Sequence, residues 1–243
     1  MTTWLRQGDA EWRKIRYHRW IVLTTVALGL FLPAMVLVLN EPVRELDAAG
    51  IADQLLQSVY LGQVGFVLIA ALYFGREFGG RSLRTSLIAV PHRVRFLLVK
   101  ALCLLLFQML CAMIYTGLAL AVVALHFDVA LTPELVLSWI AGLAPAYLSA
   151  FQLSGIAAGL IVLTGSMTAS LSVVVSLILG LGQLLLQFGA CFRLFPVLAV
   201  MNVFWTETVP GYLPVGAGLL VQSGWLLGVW VAAVLRFRQA AVR

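Results

Sequence analysis

The residues whose types and spacing could support chemistry are concentrated in one stretch, Phe74–Lys100, which we call the basic segment. It reads FGREFGGRSLRTSLIAVPHRVRFLLVK and carries six basic residues against a single acid, Glu77. Such a segment can lie on anionic lipid or dock on a protein partner. The three histidines of the chain are scattered, and no HExxH, GxSxG or GxxxxGK[ST] motif is present. The sequence therefore predicts no catalytic residue, no metal site and no nucleotide site in this chain.

The composition is that of an integral membrane protein. Of the 243 residues, 62% are hydrophobic and 11% are charged, whereas soluble domains carry about 25% charged residues. Six apolar runs reach the ~20 residues that a helix needs to cross a bilayer. These predicted spans cover residues 21–39, 55–73, 101–125, 135–163, 171–188 and 217–235. Their cores contain no Asp, Glu, Lys, Arg or His, which disfavours ion-coupled carriers and intramembrane enzymes.

The first 20 residues predict an amphipathic helix that lies on the membrane surface and leads into the first span. Leu5, Trp12 and Ile15 recur at helical spacing, with basic side chains between them. A frayed tail is the alternative. We therefore divide the chain into an interfacial helix, 1–20, and a six-helix transmembrane domain, 21–243.

The distribution of charge predicts the orientation of the spans. Of the 16 Lys and Arg residues, all but Arg44 and Arg193 lie in the N-terminal segment, the basic segment or the C-terminal tail. Most acidic residues lie at the opposite ends of the spans. The positive-inside rule then places both termini and the basic segment in the cytoplasm of a multi-pass plasma-membrane protein. Because the basic residues flank spans, they do not indicate nucleic-acid binding.

Within the basic segment the pattern predicts a short amphipathic helix. Its apolar stripe, at i, i+4 and i+7, consists of Leu83, Leu87 and Val90. Pro91 ends the helix, and Glu77 can pair with Arg81 four residues later. A helix of this kind between two spans suits docking into a groove on a soluble partner. A position on anionic lipid is the alternative.

The stretch 189–216 is apolar but is interrupted by Pro196, Pro210 and Pro214. It is too long for a simple outer loop and too broken for two crossings. We predict a re-entrant or interfacial helical hairpin on the outer face, which has to be packed within protein. The alternative is a fifth helix that extends to a kink at Pro196 and is followed by a loop.

Neutral polar residues within the predicted spans are few. Interhelical hydrogen bonding is the expected role of most of them. A second interpretation is that some of them line a transport pathway. The residues proposed for that role are Gln63, Gln108, Gln152, Gln183 and Gln187.

Taken together, these features resemble the permease subunits of type-2 ATP-binding-cassette exporters. That family often shows a Glu-Phe/Tyr…Gly-Thr-x-Arg…Pro-x-x-Arg…Lys pattern between its second and third spans. Glu77-Phe78 begins the corresponding stretch here, and the register of Arg84, Pro91 and Lys100 is kept. The chain departs from the pattern at 81–84, where it has Arg-Ser-Leu-Arg. The resemblance in topology covers nearly the whole chain.

The resemblance implies an exporter of an amphipathic drug, peptide or lipid that works with a separate ATPase subunit, which would bind ATP and Mg²⁺. It also implies a second permease copy or a sister permease. The residues implied in coupling to the ATPase are Glu77, Phe78, Arg81, Leu83, Arg84, Leu87 and Pro91. Other functions stay open from the residues alone. They are a membrane anchor or receptor that recruits a soluble partner without transport, and a uniporter or channel.

Overall fold

The computed structural model describes residues 2–38, 48–78, 92–127 and 132–239, and helices account for nearly all of these residues. No β-strand occurs within these ranges. The described part of the chain contains six helices that are long and apolar enough to cross a membrane. The predicted all-α fold and the predicted number of span-length helices are therefore confirmed.

The described helices are longer than hydropathy alone predicts. They are α1 (Thr2–Tyr17), α2 (Arg19–Val38), α3 (Ala48–Phe78), α4 (Arg93–His126), α5 (Pro133–Thr164), α6 (Met167–Ser176), α7 (Gly182–Leu186) and α8 (Val215–Gln239). A π-helical turn, Leu177–Leu181, joins α6 and α7 into one unit of span length. α3 and α4 have 31 and 34 residues, because helical hydrogen bonding continues through polar turns beyond the apolar run.

The connection between α5 and α6 is short because local caps end one helix and start the next. α5 begins after Thr132, whose side chain accepts a hydrogen bond from a backbone amide in the first turn. It ends at Gly165, whose φ of 73° lies in the left-handed region that glycine adopts without strain. Ser166 then caps α6 in the same way as Thr132 caps α5.

The core is centred on α3, which packs against α2, α5 and α6. Phe66 of α3 is fully buried among the rings of Tyr115, Tyr147 and Phe151. The centroid distances from Phe66 to these three rings lie between 5.6 and 6.1 Å. Tilted and edge-on contacts of this kind add to the stabilisation from buried area. α3 is thus held at the centre of the bundle by α4 and α5.

Close packing of α5 on α8 depends on two glycines of α5. A Cβ at Gly155 would lie 2.8 Å from Leu226, and one at Gly159 would lie 2.7 Å from Val229. Small residues let two helices approach closely within a membrane, where the hydrophobic effect does not drive them together. Gly155 and Gly159 therefore set the distance between these helices.

The fifth span bends at Gly180 rather than at Pro196. Gly180 has a φ of 125° within the π-helical turn, a backbone conformation that residues with a Cβ rarely adopt. α7 then ends at Leu186, well before Pro196. The alternative of one extended fifth helix kinked at Pro196 is therefore wrong, because a glycine already breaks the helix earlier.

Between α7 and α8 the chain forms two short 3₁₀ helices, Ala190–Leu194 and Leu198–Phe204. All residues of the second one are buried, and it packs against α3, α5 and α8. The carbonyl oxygen of Ala199 approaches α8 at Gly218, where a Cβ would lie 2.0 Å from it. The second 3₁₀ helix is thus packed within protein. The depth of the predicted hairpin in a bilayer stays a prediction.

Candidate functional site

Four charged side chains join α1 to the ends of α3 and α4. We call Glu11, Lys14, Glu77 and Lys100, with the Tyr73 hydroxyl, the charge cluster. Lys100 Nζ lies 3.1 Å from Glu11 Oε2 and 3.1 Å from Glu77 Oε2. Lys14 Nζ lies 2.5 Å from Glu11 Oε1 and 2.6 Å from Glu77 Oε1. Each lysine therefore bridges both carboxylates, and the four charges sum to zero.

Most of the charge cluster is buried. The exposed fraction is 0% for Lys100, 2% for Glu11 and 5% for Glu77. Charged side chains are almost never buried to this degree unless they are paired, since an unpaired buried ion costs several kcal/mol. Lys14 is the member that reaches solvent, with 39% of its side chain exposed. The cluster is therefore stable only while its partners stay together.

Aromatic side chains of α3 complete the surroundings of Lys100. The Tyr73 hydroxyl donates a hydrogen bond to Glu11 Oε2 at 2.7 Å. Lys100 Nζ lies 3.7 Å from the centroid of the Tyr73 ring and 5.3 Å from that of Phe74. A cation over a ring face is attracted by the quadrupole of the ring. Tyr73 thus contacts the carboxylate through its hydroxyl and the ammonium through its ring.

The spacing of residues on each helix explains why the charge cluster can form. Glu11 and Lys14 are three residues apart on α1, and Tyr73 and Glu77 are four apart on α3, so each pair shares a helix face. Lys100 follows two turns after the start of α4 at Arg93. Three helix ends therefore present complementary charges to one another.

Two members that lie outside the predicted spans have shifted pKa values. Burial alone raises the pKa of the Glu11 carboxyl, but Lys100 and the hydrogen bonds from Lys14 and Tyr73 outweigh burial and hold that pKa below its ordinary value of 4.5. Burial alone lowers the pKa of the Lys14 ammonium, but Glu11 and Glu77 outweigh burial and hold that pKa above its ordinary value of 10.5. Both groups are therefore charged across the physiological pH range.

We expect the stabilisation that Glu11 and Lys14 contribute to be constant between about pH 5 and pH 10. The folded pKa of Glu11 is lowered, so its contribution is present above pH 4.5 and is lost as the pH falls through the folded pKa. The folded pKa of Lys14 is raised, so its contribution is present below pH 10.5 and is lost as the pH rises through the folded pKa. The measurement is the unfolding temperature in detergent as a function of pH. Lys14→Met is the control. If the unfolding temperature of this variant decreases at alkaline pH as much as that of the unsubstituted chain, the alkaline decrease does not come from Lys14.

Two of the predicted coupling residues lie within the described part of the chain, and both are packed. Glu77 belongs to the charge cluster. Phe78 stacks on Phe74, with centroids 6.1 Å apart, and its ring lies 5.6 Å from that of Phe237 in α8. The coupling residues outside the described ranges are Arg81, Leu83, Arg84, Leu87 and Pro91. The pairing of Glu77 with Arg81 therefore stays a prediction.

The start of α4, which follows 79–91, contacts α1 and α8, the helices that Glu77 and Phe78 also contact. Arg93 Nη1 donates a hydrogen bond to the Phe237 carbonyl of α8 at 2.8 Å. The guanidinium of Arg95 lies 4.7 Å from the ring centroid of Trp4 in α1. Both flanks of 79–91 are therefore attached to α1 and to α8.

Two of the glutamines predicted for a pathway connect neighbouring helices. Gln108 donates to the Phe66 carbonyl at 3.0 Å and accepts from the Ser154 hydroxyl at 2.7 Å. Gln152 donates to the Ser223 hydroxyl at 2.9 Å. These bonds join α3, α4, α5 and α8 at the level of the core. They fit the interhelical role that the sequence predicts for most polar residues in the spans.

The other three glutamines lie around Tyr60 and the end of the fifth span. Gln63 is fully buried and donates to the Tyr60 carbonyl at 3.1 Å. Gln183 donates to the Tyr60 hydroxyl at 3.2 Å, which links the fifth span to α3. Gln187 is exposed just after α7. A pathway-lining role for the five glutamines stays a prediction.

Sequence reasoning missed Glu11 and the burial of Lys100, although a usable signal exists. Lys14 and Lys100 are the only two lysines of the chain, and Asp9 and Glu11 are the only acids among the first 20 residues. Glu11 also lies four residues before Ile15, on the apolar face of the predicted helix. An acid on a buried helix face requires a partner, and a basic residue elsewhere in the chain is the obvious choice.

Comparison with known proteins does not assign this site. No family model matches the chain, and no curated protein matches it. The charge cluster, the six long helices and the contacts that flank 79–91 are therefore the observations from which a function has to be inferred.

Proposed function

We propose that this chain is the membrane-spanning permease subunit of an ATP-driven exporter, as its resemblance to type-2 ATP-binding-cassette permeases implies. It lies in the plasma membrane with both termini in the cytoplasm and moves an amphipathic drug, peptide or lipid out of the cell. A separate ATPase subunit binds ATP with Mg²⁺ and docks on the basic segment. A second permease copy or a sister permease completes the pathway.

The finer features of the predicted fold belong to this proposal. α1 lies on the inner membrane surface, as expected of a basic amphipathic helix. The coupling helix of this proposal is the amphipathic helix that the sequence predicts around Leu83, Leu87 and Val90, on the cytoplasmic side and outside the described residues. The second 3₁₀ helix, Leu198–Phe204, belongs to a re-entrant hairpin on the outer face, which its burial within protein supports.

The observation that carries the proposal is the attachment of both flanks of 79–91. Glu77 and Phe78 precede this stretch, and Arg93 and Lys100 follow it. All four contact α1 or α8. A docking segment attached on both flanks can pass a movement of a soluble partner to several helices at once, because packed interiors transmit displacement.

The position of charge in the described spans supports an external energy source. Charged side chains in the described parts of the six long helices lie near the helix ends, where Lys100 and Asp53 are the deepest. An ion-coupled carrier needs ionisable groups within the membrane to bind and release the driving ion. This distribution favours ATP hydrolysis in a partner over ion coupling.

The proposal is tested by searching the neighbouring reading frames for the ATPase subunit that it requires and by co-purifying that ATPase with this chain. We expect Arg84→Ala to weaken ATPase binding about tenfold or more, the usual effect of losing one interface hot-spot side chain. Arg236→Ala is the matched control, because it removes the same charge from an exposed position on α8. Glu77→Ala is the poorer test, since it also breaks the charge cluster.

Equal ATPase binding by Arg84→Ala and Arg236→Ala would contradict docking through the coupling helix. Capture of a soluble partner without ATPase activity, with no ATP-dependent solute movement, would support the membrane anchor or receptor instead. Solute flux in liposomes without ATP would indicate a uniporter or channel.

A further inference from the structure

Helix α1 is attached along α4 by a series of different contacts. They join Trp4 to Arg95, Gly8 to Cys103, Glu11 to Lys100 and Trp12 to Phe107. These contacts extend from the first turn of α4 well into the helix. Among them, the Glu11–Lys100 pair brings together two opposite charges that are both almost completely buried. The position of α1 therefore depends most strongly on this pair.

We propose that the charge cluster holds α1 on α3 and α4, with Glu11 and Lys100 as positioning residues. α1 is then a transmission element, meaning that it passes a movement of 79–91 on to α2. The inference rests on the proposed function in one respect, namely that a partner ATPase moves 79–91. The docking of α1 by the charge cluster is independent of that partner.

The link between α1 and α2 is too short to absorb a displacement of α1. α1 ends at Tyr17 and α2 begins at Arg19, so His18 is the single residue between them. The Ile21 amide donates to His18 Nδ1 at 3.3 Å, and the Val22 amide donates to the His18 carbonyl at 3.0 Å. One residue spans at most about 3.6 Å. A larger movement of α1 therefore also moves the start of α2.

α2 is in turn packed closely on the middle of the bundle. A Cβ at Gly62 of α3 would lie 2.6 Å from Leu32, and one at Gly65 would lie 2.7 Å from Leu28. The Tyr115 hydroxyl of α4 donates to the carbonyl oxygen of Thr25 at 2.8 Å. A displacement that reaches the start of α2 therefore continues to α3 and α4 near their centres.

The two charges of α1 enter or leave the charge cluster together, because Glu11 and Lys14 lie on the same helix. If α1 moved away, it would take both Glu11 and Lys14 with it, and Lys100 and Glu77 would remain as a single buried pair. If Glu11 alone lost its charge, two lysines would share one carboxylate. In the first state Lys100 and Glu77 each lose one of their two opposite charges, and in the second state one lysine charge is uncompensated, so both states offset less of the desolvation of the buried ions.

The docking of α1 is measured in the full chain by the distance between two spin labels. One label replaces Arg13 on α1, whose side chain is 69% exposed, and the other replaces Leu98 on α4, which is 50% exposed. Cys191→Ala removes the exposed native thiol, Cys103→Ala removes the thiol that α1 covers, and Cys111 is buried and stays unlabelled. The same proteins, without labels, are assayed for binding to the ATPase and for the ATPase rate of the complex.

Glu11→Gln is the test variant, and Asp9→Asn is its matched control. Both remove one negative charge from α1, but the Asp9 side chain is 60% exposed and pairs only with exposed Arg13 among the described ion pairs. We expect Glu11→Gln to broaden the distance distribution and to lower the permease-stimulated ATPase rate on the order of tenfold, a usual size of coupling between sites. ATPase binding should stay unchanged. Asp9→Asn should change none of the three.

A double variant separates positioning from folding. Glu11→Met with Lys100→Met removes one charge of each sign and leaves Lys14 paired with Glu77, and an apolar replacement of a buried ion pair often preserves stability. We expect this variant to restore both the narrow distance distribution and the stimulated ATPase rate. A double variant with a narrow distance distribution but a low stimulated ATPase rate would overturn a positioning role. So would a Glu11→Gln variant in which α1 is undocked but the stimulated ATPase rate is unchanged.

Three further outcomes are decisive. A narrow distance distribution in Glu11→Gln would show that the charge cluster does not hold α1, and it would overturn the inference. Loss of ATPase binding in Glu11→Gln would make α1 a docking surface rather than a transmission element. If the unsubstituted chain binds no ATPase, the proposed function and the transmission role both fail, while the label distances still decide whether the charge cluster docks α1.

Discussion

Substituting Lys100 by methionine is expected to lower the free energy of unfolding by about 3–5 kcal/mol, the usual cost of removing one partner from a buried ion pair. Methionine fills much of the space of the lysine side chain, so the loss is mainly electrostatic. It would leave Lys14 as the one lysine of the charge cluster beside Glu11 and Glu77, and Tyr73 would lose the ammonium over its ring. The measurement is equilibrium unfolding in mixed micelles.

One lysine variant and one arginine variant serve as controls for this effect. Lys14→Met removes the other lysine charge that faces the same two carboxylates, but the Lys14 side chain is 39% exposed. We therefore expect a smaller loss, because water can hydrate the site. Arg13→Met breaks the exposed ion pair with Asp9 and should cost less than about 1 kcal/mol. A loss in Lys100→Met no greater than that in Arg13→Met would contradict the burial of the charge cluster.

Substituting Gly218 by alanine is the second change with a large expected effect. The new Cβ would lie 2.0 Å from the carbonyl oxygen of Ala199 and 2.9 Å from its carbonyl carbon. Both atoms belong to the backbone of the buried 3₁₀ helix, so no side chain can rotate to make room. We expect a loss of about 1–3 kcal/mol or more from overpacking, measured by the same unfolding assay.

Other glycines of α8 provide matched controls. A Cβ at Gly216 or Gly224 would meet no heavy atom of a described neighbour within 4 Å. Alanine has a higher helix propensity than glycine by roughly 1 kcal/mol. Gly216→Ala and Gly224→Ala should therefore be neutral or stabilising. A Gly218→Ala variant as stable as these two would show that the second 3₁₀ helix is not packed against α8.

The apolar spans could be predicted from the sequence because each one carries its own signal. A run of about 20 apolar residues identifies a span without knowledge of its neighbours. The position of the bend in the fifth span is harder to predict. Proline is the residue expected to break a helix, yet Gly180 does so here through a positive φ that the sequence does not reveal.

The charge cluster could not be predicted in the same way, because its partners are distant in sequence. Local spacing suggests a pair between Glu77 and Arg81. In the structure Glu77 contacts Lys14, 63 residues earlier, and Lys100. Helix periodicity identifies the buried face of α1 that carries Glu11, but only the packing of α3 and α4 supplies the lysine that faces it.

The distance along the chain between Glu11 and Lys100 also constrains the order of events during synthesis. The two residues are 89 positions apart, so a ribosome working at about 5–20 residues per second makes Lys100 on the order of 5–20 s after Glu11. Until then, Glu11 can pair with Lys14, which is made directly after it, but not with Lys100. α1 is therefore made before α3 and α4 but reaches its final position only after both have been inserted.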